Sequence, residues 1–445
     1  MASTLRQRDV ANDGAANKAA LLREAEDLEL TEGQKFVVPN FTTKQLLDAI
    51  PAHCFKRSAL RSSLYVLQDA VVIAALVYGA LHIDSFLARF NLSKPVEMAA
   101  RIALWIGYQI TAGLFGTGIW VIAHECGHQA YSSSKAINNG VGWVLHSALL
   151  VPYHSWRISH GRHHAATGHL TRDEVFVPRT RSQRGISPKK HESEQKGIAV
   201  PAWRQAELKE ALEESPIGAL WGAFLHQLFG WPMYLIRNAS GQLHYPPYTN
   251  HYQPSSVIFR ASQYWDIIWS DIGVALVLAG LGVWAYYRGV TEVFLTYFIP
   301  YLWVNHWLVF ITFLQHTDTT VPHYSEKTWT FARGALATVD RDFGFVGKYI
   351  FHGIIETHVA HHTASRMPHY NAWEATEHLK KFLGKHYQYS DENMFKAFFR
   401  VYRECLFIED GEDVAFFKNA AGVAKMVGVE EGGNVSDSGI DAKAQ

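Results

Sequence analysis

Residues 102–128 read IALWIGYQITAGLFGTGIWVIAHECGH, an uncharged apolar run followed by a pair of histidines. The apolar part, 102–123, is long enough to cross a bilayer, for which about 20 residues are needed. If the helix continues, His124 and His128 lie about one turn apart on the same face, which is the spacing of metal ligands. The same pentapeptide also fits the zinc-protease pattern, in which Glu125 would activate water, and a pair of structural histidines.

Two further histidine clusters decide between these interpretations, because both repeat the spacing HxxHH. They are His160, His163 and His164, and His358, His361 and His362. Positions i, i+3 and i+4 share a helix face, so each cluster can present three imidazoles to one point. Eight clustered histidines exceed what one zinc ion uses, since a catalytic zinc takes about three protein ligands. Two metal ions fit better, and imidazole suits iron, copper or zinc.

The composition indicates a membrane protein. Charged residues make up 18% of the chain, whereas about a quarter is usual in soluble proteins. Four apolar segments are long enough to span a bilayer: 64–83, 102–123, 267–287 and 293–317. The first and third contain Asp69 and Asp271 near an end, where we expect the carboxylate to reach the interface. Two other apolar segments, 141–153 and 217–236, are short or broken by a proline and are predicted to be interfacial or re-entrant.

The order of the spans predicts the topology. Four spans in two hairpins place both termini, the central loop and every histidine cluster on one side of the membrane. That side carries most of the lysines and arginines, so the positive-inside rule makes it cytosolic. We therefore expect an all-α integral membrane protein with four transmembrane helices in two hairpins, topped by a cytosolic helical cap that holds a histidine-rich metal centre.

The flanking sequence is assigned by composition. Residues 1–34 are predicted to be a disordered arm, 35–62 a cytosolic amphipathic segment, 63–418 the membrane domain and 419–445 a flexible tail. Thr42 and Gln45 have the spacing of a capping box and predict a helix start. The formal net charge is zero, which argues against a nucleic-acid partner. Three scattered cysteines are too few for a disulfide framework.

Short motifs accompany the histidine clusters. They are IPAHCF at 50–55, VPYHSWRISH at 151–160, LQHT at 314–317 and PHY at 368–370. With the clusters, they resemble the membrane fatty-acid desaturases of the delta-12 (oleate) and omega-3 type, especially the fungal members. The resemblance implies a non-haem di-iron enzyme of the endoplasmic reticulum membrane, with its termini and active site in the cytosol.

The resemblance also implies the metal ligands. They are His124, His128, His160, His163, His164, His316, His358, His361 and His362. His316 lies outside the clusters and matches the additional metal-binding histidine of the family. His306 lies ten residues deeper in the same span, about 15 Å along a helix, and is poorly placed to reach the same centre.

The implied reaction uses O2 to introduce a cis double bond at the delta-12 position of an oleoyl chain, giving a linoleoyl chain on a phospholipid or on coenzyme A. The sequence lacks the HPGG motif of a fused cytochrome b5 domain, so a separate cytochrome b5 and its reductase are expected to supply electrons. Alternatives within the family are an omega-3 or bifunctional delta-12/omega-3 desaturase and a related acyl hydroxylase. Outside it, an intramembrane zinc protease would need the HECGH residues alone, and a non-catalytic lipid-binding protein would need none of the clusters.

Three supporting roles complete the prediction. Carboxylates that can orient the ligand histidines are Glu125, Asp173, Glu174 and Glu356. The basic stretch 179–196 is a candidate docking surface for an acidic electron donor. The aromatic segments 217–236 and 297–307 are candidate walls of an acyl tunnel.

Overall fold

The structure is a computed structural model that describes residues 28–30, 34–195, 199–213 and 215–429. Its helices, in chain order, are α1 (Thr43–Asp48), α2 (Ala59–Leu81), α3 (Ile83–Leu87), α4 (Lys94–Gly127), α5 (Lys135–Ala148), α6 (Tyr153–Ala166), α7 (Glu192–Gln195), α8 (Ala202–Leu212), α9 (Pro216–Arg237), α10 (Tyr264–Arg288), α11 (Val290–Val293), α12 (Ile299–His316), α13 (Phe331–Ala335), α14 (His358–Thr363), α15 (His369–Leu383) and α16 (Met394–Glu404). Its strands are β1 (Leu28–Leu30), β2 (Gln34–Val37), β3 (Ala199–Pro201), β4 (His323–Tyr324), β5 (Asp340–Arg341), β6 (Tyr389–Ser390), β7 (Val414–Ala415) and β8 (Met426–Val429).

Four helical segments in the described chain are long and apolar enough to cross a membrane: α2, α4, α10 with the turn before it, and the segment Val290–His316. The last segment joins α11 to α12 through a π-helical turn at Phe294–Phe298. These segments overlap the four predicted spans, so the helical membrane fold is confirmed. The two shorter apolar segments lie in other helices, 217–236 within α9 and 141–148 within α5, and neither helix is among the spans.

Helix α4 is the centre of the membrane part. About two thirds of its apolar window is buried inside the protein, against 11% for α2. Small residues allow α12 to approach it closely: a Cβ at Gly113 would lie 2.2 Å from the Cβ of Trp303, and one at Gly116 would lie 2.7 Å from Val304. Glycine at such positions permits close packing of membrane helices. The tight packing fixes the ends of α4 and α12 relative to each other.

Asp69 does not reach the membrane interface, so that prediction is wrong. Its side chain is fully buried, and its Oδ2 lies 2.8 Å from His352 Nε2. A carboxylate inside a membrane protein is costly unless it is paired. The pairing partner comes from a loop nearly three hundred residues away, which the sequence pattern of α2 alone does not reveal.

The cap contains short strands that the sequence did not predict. They form two-stranded pairs, β1 with β3, β2 with β8, β4 with β7 and β5 with β6. Strand β8 pairs in parallel with β2 and therefore holds residues 426–429, beyond the predicted boundary at 418, against the start of the cap. Most of the predicted arm, 1–27 and 31–33, and residues 430–445 of the predicted tail lie outside the described residues. The capping box of Thr42 and Gln45 is confirmed.

The described part of the stretch 179–196 is only partly a free basic surface, and its role as a docking site stays a prediction. Arg181 is buried and pairs with Glu194 at 3.2 Å and with Glu409 at 2.8 Å. Lys190 pairs with Glu207. The pairs of Arg181 lie inside the cap and that of Lys190 lies at its surface, whereas Arg184 is exposed.

The close approach of α4 and α12 can be tested by adding side chains. Replacing Gly113 with valine forces the helices apart, so we expect a loss of about 1–3 kcal/mol of stability and a lower melting temperature in detergent. Gly107→Val is the matched control, since a Cβ at Gly107 meets nothing within 4 Å. Equal melting temperatures for the two variants would contradict the packing described here.

Candidate metal centre

The predicted ligands lie where separate elements meet at one end of the membrane helices. His124 is in the last turn of α4, His128 caps that helix, and His316 is the last residue of α12. The second cluster lies on α6 and the third on α14. Helix α14 is short, and its position is fixed by Asp340 Oδ1, which accepts a hydrogen bond from Val359 N at 2.7 Å.

The structure brings all nine predicted histidines together in two neighbouring groups. The first consists of His124, His128, His160, His164 and His361, and the second of His163, His316 and His362, with the candidate ligand nitrogens of each group within 4.8 Å of one another. His358 joins the second group, because its Nε2 lies 3.0 Å from His316 Nε2. The adjacent rings of His164 and His362 stack with centroids 3.9 Å apart and connect the groups.

Distances between the nitrogens fit ligands that share a metal ion. His124 Nε2 and His128 Nε2 are 3.2 Å apart, and His160 Nε2 and His164 Nε2 are 3.1 Å apart. Two nitrogens bound at about 2.1 Å and at right angles to each other lie about 3.0 Å apart. Each group therefore has the donor set and spacing of a metal site.

In two of the histidines, one ring nitrogen forms a hydrogen bond and the other is left to bind a metal. His163 Nδ1 donates to Asp173 Oδ1 at 2.6 Å, and His362 Nδ1 donates to Thr167 Oγ1 at 3.1 Å. In both rings Nε2 is buried and has no hydrogen-bond partner among the described residues. An unpaired buried acceptor is costly, and a bound metal would remove that cost. Such contacts to the second nitrogen fix the tautomer of metal-binding histidines.

Burial keeps the imidazoles neutral. Loss of solvation, with a smaller effect of nearby His124, lowers the pKa of His361 to about 3. Burial also lowers the pKa of His362 well below its ordinary value, as do the neighbouring histidines. These rings are therefore uncharged at neutral pH, which is the form that binds metal.

Glu125 lies behind the first group and not inside it. Its Oε1 is 3.4 Å from Nδ1 of His124 and 3.8 Å from Nδ1 of His361. Its Oε2 accepts a hydrogen bond from His369 N at 2.9 Å. The carboxylate thus faces the nitrogens opposite to those that cluster, a position in which it can orient ligands but cannot activate a metal-bound water.

The other three predicted carboxylates differ in whether they contact a histidine of the site. Asp173 contacts His163, one of the predicted ligands, as expected. Glu174 instead accepts hydrogen bonds from Arg162 and Tyr245, at 3.1 and 3.0 Å. Glu356 accepts one from Phe343 N at 3.2 Å. The predictions for Glu174 and Glu356 are therefore wrong, because their partners come from segments that sequence spacing does not relate to them.

Phe176 is a site residue that sequence reasoning missed. Its ring stacks on His316 with centroids 4.8 Å apart and an interplanar angle of 12°. Its φ of 58° is uncommon for a bulky residue and costs energy. No sequence pattern marks this contact, since it depends on how the loop after α6 folds back over α12.

An apolar cavity of about 380 Å³ adjoins both histidine groups. His124 and His160 of the first group and His163, His316 and His358 of the second line it. The remaining wall includes Trp120, Trp156, Trp231 and Tyr234. The predicted wall at 217–236 is thus present, but 297–307 is replaced by the last turns of α12, 308–317. His306 contacts aromatic rings of its own helix and lies outside both groups.

Comparison with known proteins agrees with this geometry. The family model for fatty acid desaturases matches residues 100–392. The chain belongs to the fatty acid desaturase family. A delta(12) fatty acid desaturase of Mortierella alpina is 49% identical over 386 residues, which cover 86% of this chain and 92% of the relative. One of Mortierella isabellina is 50% identical over the same shares. An oleate hydroxylase of Claviceps purpurea is 42% identical over 87% of this chain and 83% of its own.

Family membership makes the chain an oxidoreductase that acts on acyl lipids with O2. Within this desaturase, the two histidine groups are the candidate metal centre and the adjoining cavity is the candidate acyl site. The zinc-protease and lipid-binding alternatives do not apply.

The contact of Asp173 with His163 should matter for metal binding. Loss of a carboxylate that orients a metal-binding histidine typically costs about 10–100-fold in metal affinity or activity. We expect Asp173→Ala to lose metal to that extent, as measured by elemental analysis after dialysis against a chelator. Asp391→Ala, which removes an exposed carboxylate, is the control. Wild-type metal retention in folded Asp173→Ala protein would show that the contact is not needed.

Proposed function

We propose that this desaturase introduces the delta-12 double bond of oleoyl chains and produces linoleoyl chains. Its similarity to two fungal delta(12) fatty acid desaturases over most of both chains supports this regiochemistry. The observation that carries the proposal is the contact between the two histidine groups and a single apolar cavity. An acyl chain in that cavity would lie beside both metal sites.

We propose two non-haem iron ions as the metals. The first would be held by His124, His128, His160, His164 and His361, and the second by His163, His316, His358 and His362. Zinc has no redox chemistry, and desaturation removes two electrons from the substrate. When bound, the irons would activate O2, which is the oxidant that an unactivated methylene requires.

The protein prepares this chemistry through hydrogen bonds and burial. Asp173 and Thr167 hold Nδ1–H of His163 and His362, so that each Nε2 keeps its lone pair towards the site. Glu125 places a carboxylate near Nδ1 of His124 and of His361, at 3.4 and 3.8 Å. The tryptophans of the cavity wall exclude water and leave the acyl chain in an apolar environment.

The proposed cellular location and partners of the enzyme are based on its membrane topology. We propose that the enzyme lies in the endoplasmic reticulum membrane with its termini and metal centre on the cytosolic side, as the distribution of lysine and arginine supports. There it would receive electrons from a separate cytochrome b5 and its reductase. The substrate chain would enter from the bilayer while attached to a phospholipid or to coenzyme A.

Expression in yeast that lacks polyunsaturated fatty acids tests the proposed activity. Gas chromatography of total fatty acids should show 18:2 with the wild-type chain and none with His361→Ala, because that change removes a ligand of the first group. His244→Ala, which removes an exposed histidine, should retain 18:2. Product confined to 18:3 after feeding of linoleate, or a hydroxylated 18:1 as the main product, would overturn the delta-12 assignment.

A further inference from the structure

Two arginines line the otherwise apolar cavity beside the metal centre. Arg179 and Arg184 belong to the loop that follows α6, and both are part of the cavity wall. Among the described residues that form this wall, none carries a carboxylate. The cavity therefore combines an apolar interior and histidine nitrogens with two positive charges that it does not itself neutralise.

Within the described part of the chain, neither guanidinium forms an ion pair. Arg179 is half-buried, and its Nη1 is fully buried without a hydrogen-bond partner. Burial, followed by the charge of Arg184, lowers the pKa of Arg179 from its ordinary value. Arg184, in contrast, is exposed to solvent. A buried cation without a partner is costly, so Arg179, together with the nearby charge of Arg184, is suited to bind an anion from outside the chain.

Several other arginines of the cap form ion pairs with carboxylates and therefore have a structural role. Arg181, between the two unpaired arginines in sequence, is held by Glu194 and Glu409. Arg341 pairs with Asp318 at 2.6 Å, and Arg400 pairs with the same carboxylate at 3.0 Å. Arg179, although partly buried, has no such carboxylate partner among the described residues.

The loop that carries the two arginines is anchored at both sides. Ile408 N donates to Arg179 O at 3.0 Å, and Arg181 N donates to Ile408 O at 2.8 Å. Upstream, the same loop carries Asp173 and Phe176, which contact ligand histidines. The backbone that carries Arg179 is therefore held at a fixed distance from the metal centre by a single short segment, which lowers the cost of ordering it when an anion binds.

A second, larger cavity continues from this point. Its volume is about 950 Å³, and it shares Arg184, His226, Phe313, Cys405 and Leu406 with the acyl cavity. Its own wall adds charged residues of both signs: Lys209, Lys396, Arg400 and Arg403, and Glu213, Glu392 and Glu404. Arg403 pairs with Glu213 and Arg400 with Glu392, whereas no ion pair of Lys209 or Lys396 is found among the described residues. The arginine pair thus lies where an apolar space of acyl-chain character adjoins a polar space in the cytosolic cap.

We propose that Arg179 and Arg184 bind a phosphate group of the carrier to which the acyl chain is attached, and that the larger cavity receives the rest of that carrier. This inference rests on the proposed function, since it assumes an acyl chain in the apolar cavity. Guanidinium groups bind phosphate through paired, charge-assisted hydrogen bonds. Binding the phosphate at a fixed place would set which carbons of the chain lie beside the metals.

The test compares substrates with and without phosphate. Detergent-solubilised enzyme, supplied with cytochrome b5, its reductase and NADH, is assayed with oleoyl-phosphatidylcholine, oleoyl-CoA and methyl oleate. For Arg179→Gln/Arg184→Gln we expect KM for the phosphate-bearing carrier that the enzyme uses to rise about tenfold or more, with kcat within about twofold of wild type. The KM for methyl oleate should not change. Arg184→Lys should restore part of the affinity, and Lys381→Gln, which removes an exposed charge elsewhere in the cap, should have no effect.

Each outcome has one meaning. A rise in KM for phosphatidylcholine alone or for oleoyl-CoA alone supports the proposal and identifies the source of the phosphate. Unchanged KM for both carriers, an equal rise for methyl oleate, or a rise confined to the KM for cytochrome b5 would overturn it. Failure of the wild-type enzyme to desaturate any of the three would refute the proposed function instead, so the two failures are distinguishable.

Discussion

The convergence of nine buried or partly buried imidazoles at one end of α4 is the constraint on which the rest of the structure depends. The histidines come from α4, α6, α12 and α14, so the fold must bring four separate elements to one place. Glycines on α4 let α12 approach closely enough to deliver His316. Asp340 fixes the start of α14. Without metal, the facing nitrogens would be unpaired in a buried site, so packing and metal binding stabilise the same arrangement.

The loop after α6 links the metal centre to the substrate. Asp173 orients His163, Phe176 covers His316, and Arg179 and Arg184 line the cavity further along. Strain at Phe176 is tolerated because backbone hydrogen bonds to the C-terminal segment hold the loop on its other side. One short segment thereby contacts the predicted ligands and carries the arginines that we propose to bind the acyl carrier.

The membrane spans and most of the candidate metal site could be predicted from the sequence. Long apolar runs gave the four spans, and the HxxHH spacing gave the clusters, because both are local patterns with a direct geometric meaning. His316 was chosen over His306 from family resemblance and depth along one helix, and the structure places it in the second group. What could not be predicted depends on contacts between distant segments: the Asp69–His352 pair, the stacking of Phe176, the partners of Glu174 and Glu356, and the internal ion pairs of Arg181.

The metal content of the purified protein tests the central claim most directly. Protein produced with iron and purified without oxygen should contain about two iron ions per chain, and Mössbauer spectroscopy should show two sites with nitrogen ligands. Replacing His316 or His358 should remove iron from one site and leave the other. A single metal ion per wild-type chain, or zinc in place of iron in active protein, would contradict this account.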